Sequence, residues 1–122
     1  MKVFLSAKIH GVRVTDKSLH YHGSVAICRD LLQAADVTPY EQVHVVNLTN
    51  GERWITYAIP GESGTFSLNG GGARLGEVGD VCVVMTFQMS KTYDPARVIH
   101  CDERNRIAEA GRYMHETEAE FA

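Results

Sequence analysis

The chain has 122 residues, 44% of them hydrophobic and 22% charged, which is enough to bury one modest core and argues against two domains. A formal net charge of -3 lacks the basic excess of a nucleic-acid binder or of a protein held to anionic membranes. It still leaves room for a local basic site that takes a small acidic or zwitterionic ligand. The opening stretch, residues 1–8, carries charge but no apolar run long enough for a signal peptide, and no later stretch could span a bilayer as a helix, so a cytoplasmic address is expected. Cys28, Cys82 and Cys101 are odd in number and lack CxxC spacing, so reduced thiols are expected rather than a disulfide framework.

In chain order, residues 2–16 mix apolar positions with Lys8, His10 and Arg13 and predict two short strands bent near Gly11. Cys28–Ala35 places apolar residues at helical spacing with Pro39 shortly beyond, which predicts one short amphipathic helix. Val43–Leu48 and Trp54–Ile59 are β-rich runs flanking Thr49-Asn50-Gly51-Glu52, where Asn-Gly would supply the positive φ values of a tight hairpin turn. Residues 60–64 should break that pattern, and Thr65–Leu68 should form a brief strand. The three glycines after Asn69 predict a turn or the close approach of a ligand. Val81–Phe87 is almost uninterrupted in apolar residues and predicts a central buried strand, and Val98–Cys101 a last, edge strand. Glu103–Phe121 is rich in Glu, Arg and Ala, with Ile107, Ala110 and Met114 near helical spacing, and predicts a partly ordered surface helix. The whole pattern implies a small, mostly β domain.

Gly23-Ser24 alone is a common turn dipeptide. Here it ends the stretch Leu19-His20-Tyr21-His22-Gly23-Ser24, after Lys8-Ile9-His10 and ahead of Asn50-Gly51-Glu52-Arg53-Trp54-Ile55-Thr56-Tyr57-Ala58-Ile59 and Asn69-Gly70. This ordered set, with matching loop lengths over roughly residues 3–107, closely resembles the bacterial pyruvoyl-dependent aspartate 1-decarboxylases. The resemblance implies a small six-stranded double-psi β-barrel with short helices, assembled as a homotetramer with active sites between neighbouring subunits. It also implies a possible maturation factor, since some members use one. The implied activity is decarboxylation of L-aspartate to β-alanine and carbon dioxide, which feeds pantothenate and so coenzyme A synthesis.

The same resemblance implies that the Ser24 hydroxyl attacks the Gly23 carbonyl in an N-to-O acyl shift. The ester would eliminate to dehydroalanine and, on loss of ammonia, leave a covalent pyruvoyl group derived from Ser24. The products would be a β chain, residues 1–23, and an α chain, residues 24–122. Ser24 is then the pyruvoyl precursor and Schiff-base carrier, Tyr57 the proton donor, and Gly23, Thr56 and Asn69 partners in processing. Arg53 and Lys8 would meet substrate carboxylate, the Gly70, Gly71 and Gly72 backbone would contact substrate, and His10 and Tyr21 would line the site. No metal is implied.

Those residue types make chemical sense. A glycine before the scissile bond reaches backbone conformations closed to other residues, and a neutral hydroxyl needs proton removal and a donor to the developing oxyanion. A planar guanidinium suits bidentate carboxylate recognition. Plainer readings stand beside them: Arg53 as a solvated hairpin residue, Tyr57 as half-buried packing, Lys8 as surface charge, Thr56 as a good β former. Departures from the family pattern concentrate at His22, beside the cleavage bond, and at Gly71-Gly72, where Ala-Ala is common and glycine implies a larger, looser pocket. Cys28 and Val46 also depart. The alternatives are therefore a divergent paralogue decarboxylating another small amino acid, and a non-catalytic β-barrel binding module. A metal site from His10, His20, His22 and Cys28 matches no strong zinc spacing.

Overall fold

In the computed structural model, which describes residues 1–113, the β-rich runs become nine strands and the helical run one short helix. In order these are β1 (Lys2–Arg13), β2 (Asp16–Ser18), β3 (Ser24–Cys28), α1 (Arg29–Ala35), β4 (Gln42–Asn47) and β5 (Arg53–Gly61). Then come β6 (Phe66–Asn69), a 3₁₀ turn (Gly70–Leu75), β7 (Val81–Ser90), β8 (Ala96–Cys101) and β9 (Ile107–Tyr113). The strands pair in the order β2-β6-β3-β5-β4-β7-β1-β8-β9. Pairs β1/β8, β2/β6 and β3/β5 are parallel and the others antiparallel. The fold is thus mainly β with short helices and is consistent with a small β-barrel, built from nine strands counting the three-residue β2 and the outlying β9.

Several elements differ from the sequence reading for physical reasons. β1 is one strand rather than two, because its register shift between His10 and Val12 is absorbed as a bulge that bends the strand without ending it. β5 runs on through Pro60 to Gly61: β4 has ended opposite Tyr57, so the missing proline N–H costs no ladder bond on that side. The β4–β5 turn is wider than a two-residue hairpin. Gly51 N–H donates to the Asn47 carbonyl at 2.8 Å and Asn47 N–H to the Glu52 carbonyl at 2.8 Å, and only Gly51 takes a positive φ, +81°. β8 is not an edge, since β9 pairs along it. Residues 107–113, expected to be helical, are strand: Ile107 is exposed, so the helical spacing had no apolar stripe to bury, while the open side of β8 offered a full ladder. The rest of that expected helix, residues 114–121, lies outside the described residues.

β7 is central, as predicted, between β4 and β1. Phe66 and Leu68 of β6, Val25 and Ile27 of β3, Val45 of β4, Val84 of β7, Ile9 of β1, Ile99 of β8 and Leu31 of α1 are buried in one core. Truncating a buried phenylalanine such as Phe66 to alanine costs about 3–5 kcal/mol. Two buried amides tie loops to that core. Asn47 Nδ2 donates to Leu75 O at 3.1 Å and Asp80 Oδ2 at 2.9 Å, and Asn105 brackets the Arg13 peptide at 2.7 and 2.9 Å. The three cysteines are free thiols.

Candidate active site

Ser24 opens β3, where antiparallel pairing sets it opposite Asn69 on β6. It is only 3% exposed, unusual for a serine at a strand end. Asn69, itself buried, donates from Nδ2 to Ser24 Oγ at 3.1 Å, and Ser24 Oγ donates to the His22 carbonyl at 3.4 Å. Ser67 fixes the amide's orientation, its hydroxyl donating to Asn69 Oδ1 at 3.0 Å, so the NH₂ edge is turned to Ser24. One side chain thus holds the hydroxyl with a donor and is itself held.

The 3₁₀ turn that follows Asn69 packs against the residue before Ser24. A Cβ placed on Gly70, whose φ is +66°, would lie 2.6 Å from Gly23 Cα, 2.9 Å from Gly23 N and 3.2 Å from Tyr21 O. The glycine run therefore makes a turn and a close approach, as its composition suggested, but the approach is to the chain itself. Gly71 faces open space, whereas a Cβ on Gly72 would sit 3.0 Å from Trp54 Nε1. The room that glycine leaves at position 72 is filled by the indole, so the expected enlargement does not arise there.

Tyr57 joins this cluster through β5. Val25 pairs with Ala58, which sets Ser24 alongside Tyr57 one step earlier in the parallel ladder, both alternating away from the buried Val25 and Ala58. Tyr57 is half-buried and stacks on Tyr40 at 6.1 Å between ring centroids. Thr56 alternates to the inner side, opposite buried Val43. Tyr21 is 55% exposed in the loop before Gly23-Ser24, edge-on to His22 at 5.7 Å between ring centroids.

Lys8 and His10 lie elsewhere. Registers place Arg53, Val46, Val83, His10 and His100 in one row across β5, β4, β7, β1 and β8. Ile55, His44, Met85, Lys8 and Val98 form the next row. All these positions alternate away from Val45 and Val84 in the core, so Arg53, Tyr57, Lys8 and His10 share the outer face. From β5 to β1 is three strand steps, about 14 Å along the sheet at ~4.8 Å a step. Lys8 Nζ stands over the Tyr113 ring, 5.3 Å from its centroid, and the His10 and His100 rings are 5.3 Å apart. Burial first, then the charges of Lys8 and His100, holds His10 below its ordinary 6.5.

Sequence reasoning missed Trp54 and His100. Trp54 carried a signal, as the chain's one tryptophan inside the Arg53–Tyr57 block, but nothing tied it to position 72; His100 was read only as part of a strand. Two of the thiols are held protonated: burial, then Asp80, pushes Cys82 up to about 12, and burial, then Asp102 and Cys28, does the same for Cys101. Among the described residues no three His, Cys, Asp or Glu side chains converge as a metal would require, and no helix is long and apolar enough to cross a membrane.

Fold and site together define a mainly β protein that holds a buried serine, directly after an exposed glycine, between a hydrogen-bonding asparagine and a tight glycine turn. The family model described as aspartate decarboxylase matches residues 1–108. The chain is 46% identical over 114 residues to the aspartate 1-decarboxylase of Laribacter hongkongensis, covering 88% of this chain and 90% of that one. It is 53% identical over 88 residues to the enzyme of that name from Pyrobaculum islandicum, covering 72% and 73%, and 45% identical over 115 residues to that from Acaryochloris marina, covering 88% and 87%. The chain belongs to the aspartate decarboxylase family.

Proposed function

We propose that this chain decarboxylates L-aspartate to β-alanine and carbon dioxide, supplying pantothenate synthesis in the cytoplasm, with a pyruvoyl group that it makes from its own Ser24. Family membership supports the reaction, and the buried Asn69–Ser24 hydrogen bond behind the seated Gly23 is the observation that carries the self-cleavage. The residues present fit that group: Ser24 is shielded from water, and the Asn69 NH₂ is aimed at the oxygen that must become an acyl acceptor.

Processing balances within the chain plus one water. Ser24 Oγ adds to the Gly23 carbonyl carbon, the carbon–nitrogen bond breaks, and the freed amine takes the hydroxyl proton, giving an ester. Removal of the Ser24 α-proton expels the Gly23 carboxylate and leaves dehydroalanine. That elimination separates residues 1–23 from residues 24–122, and water then replaces the dehydroalanine nitrogen, which leaves as ammonia. Asn69 serves as the donor that steadies Oγ during attack, and Thr56 is assigned to polarise the Gly23 carbonyl.

When formed, the pyruvoyl group supplies a ketone that captures the substrate amine and accepts the electrons released by decarboxylation. Arg53 pairs with a substrate carboxylate, the Gly70–Gly72 backbone flanks it, and Tyr57, beside residue 24, returns the proton. Tyr21 and His10 close the walls. Lys8 lies too far along the sheet from Arg53 to grip the same small diacid within one subunit. The site is therefore completed by Lys8 and His10 of a second copy, which also covers the exposed Ile55, Phe87 and Met89 of the outer face, as a homotetramer would.

Intact-mass measurement on purified protein, before and after warming, should find two fragments split at Gly23–Ser24, and incubation with L-aspartate should release β-alanine. An uncut 13.5 kDa chain that stays uncut even with cell extract would sink self-processing and favour the binding module. Cleavage only with extract would assign a maturation factor. Cleavage with turnover of a different amino acid would assign a divergent paralogue.

A further inference from the structure

We propose that Gly70 is a positioning residue for self-cleavage: it is the seat against which Gly23 rests, so that two consecutive residues, Asn69 and Gly70, hold the nucleophile and the electrophile of one reaction. The inference rests on the self-cleavage reading above and adds a part to it. Asn69 fixes Ser24 Oγ through a 3.1 Å hydrogen bond. Its neighbour has no side chain to offer, and the space a side chain would take is already occupied by the Gly23 backbone: Cα at 2.6 Å and N at 2.9 Å from an ideal Cβ.

Carbon atoms in contact sit about 3.5–4.0 Å apart, so any Cβ at residue 70 must drive Gly23 back by about 1 Å. Gly23 Cα is bonded directly to the carbonyl carbon that Ser24 attacks. The displacement therefore opens the gap between the reacting atoms, while Ser24 stays anchored by β3–β6 pairing and by Asn69. Misplacement of that size slows a positioned reaction by about 100-fold. Gly71, next in the chain, has nothing within 4 Å of its Cβ position, so the constraint belongs to residue 70 and not to the turn at large.

Backbone strain has to be separated from contact. Gly70 has φ +66°, and alanine there would be strained anywhere in the chain. Gly79 supplies the control, with φ +96° and nothing within 4 Å of its Cβ position. Purified Gly70→Ala, Gly79→Ala and wild-type chains should be followed by intact mass during warming, with thermal melting recorded for each. The expected result is cleavage of Gly79→Ala at the wild-type rate and of Gly70→Ala about 100-fold more slowly, at similar melting temperature. Gly70→Asn, which tolerates a left-handed backbone but keeps the Cβ contact, should be as slow as Gly70→Ala. Wild-type cleavage rates in either residue-70 variant, equal slowing in Gly79→Ala, or failure of both residue-70 variants to fold would overturn the inference. A wild-type chain that never cleaves would instead remove the self-cleavage reading beneath it.

Discussion

Two regions on one outer face are held in contrasting ways. Around Ser24 every constraint is internal: a buried hydrogen bond, an amide oriented by Ser67, strand pairing on both sides and a backbone contact from the next turn. Around Lys8 and His10 the side chains are only half-buried, and the contacts that hold them are softer, a cation over a tyrosine ring and two imidazoles 5.3 Å apart. In the proposed self-cleavage, the first region is the one held ready before any ligand binds. The second leans on β8 and β9, through His100 and Tyr113. Self-processing and substrate binding thus place different demands on the same sheet, and substitutions should separate them.

The largest separation should come from Ser24→Ala. The fold loses little, since alanine fits the buried strand position, but both cleavage and decarboxylation should vanish; β-alanine release by the uncut variant would end the pyruvoyl assignment. Asn69→Ala should come next. It removes the donor to Oγ and leaves the Ser67 hydroxyl without its acceptor, so cleavage followed by mass should slow by about 100- to 1,000-fold, the usual cost of one positioned donor. Once cut, such chains should bind substrate nearly normally, because Arg53 is untouched. Arg53→Ala should behave in the opposite way, with wild-type cleavage and kcat/KM for aspartate lower by about 10- to 100-fold, the worth of a charged hydrogen-bond pair. Slowed cleavage in that variant would erase the division between the two regions.

The same contrast explains what could be read from residues alone. Strands dominated by alternation or by apolar runs, β4, β5 and β7, were legible because their burial is set by neighbours of the same kind. β9 was not, since Ile107, Ala110 and Met114 fit a helical period while the decisive term was the unpaired edge of β8, a partner no local window contains. Ser24, Asn69 and Tyr57 were singled out through the family motif; the structure hydrogen-bonds the first two and sets Tyr57 on the strand paired with β3. The motif could not say that Gly70 is excluded from bearing a side chain by Gly23, or that Gly72 yields its space to Trp54. Both facts are contacts between segments distant in sequence, and they turn a run of glycines from apparent looseness into a fitted surface.

The finest test concerns His100, which the motif did not mark. His10 is flanked by Lys8 on its own strand, by His100 across β8 with Glu109 beyond it on β9, and by apolar Val83 on β7. Burial, Lys8 and His100 all lower its pKa from 6.5, so His10 is neutral at pH 7 and the folded state resists its protonation. The sign follows: this contribution to stability is intact above 6.5 and is lost as pH falls through the depressed value. His100→Gln removes one positive neighbour, so the His10 pKa, followed by its imidazole proton resonances, should move up toward 6.5. It should stop short, because burial, the larger cause, and Lys8 remain. The acid limb of the KM profile should shift the same way while the cleavage rate at Gly23–Ser24 stays fixed, since three strands lie between β1 and β3. A cleavage rate that followed the His10 titration would join the two regions into one electrostatic unit.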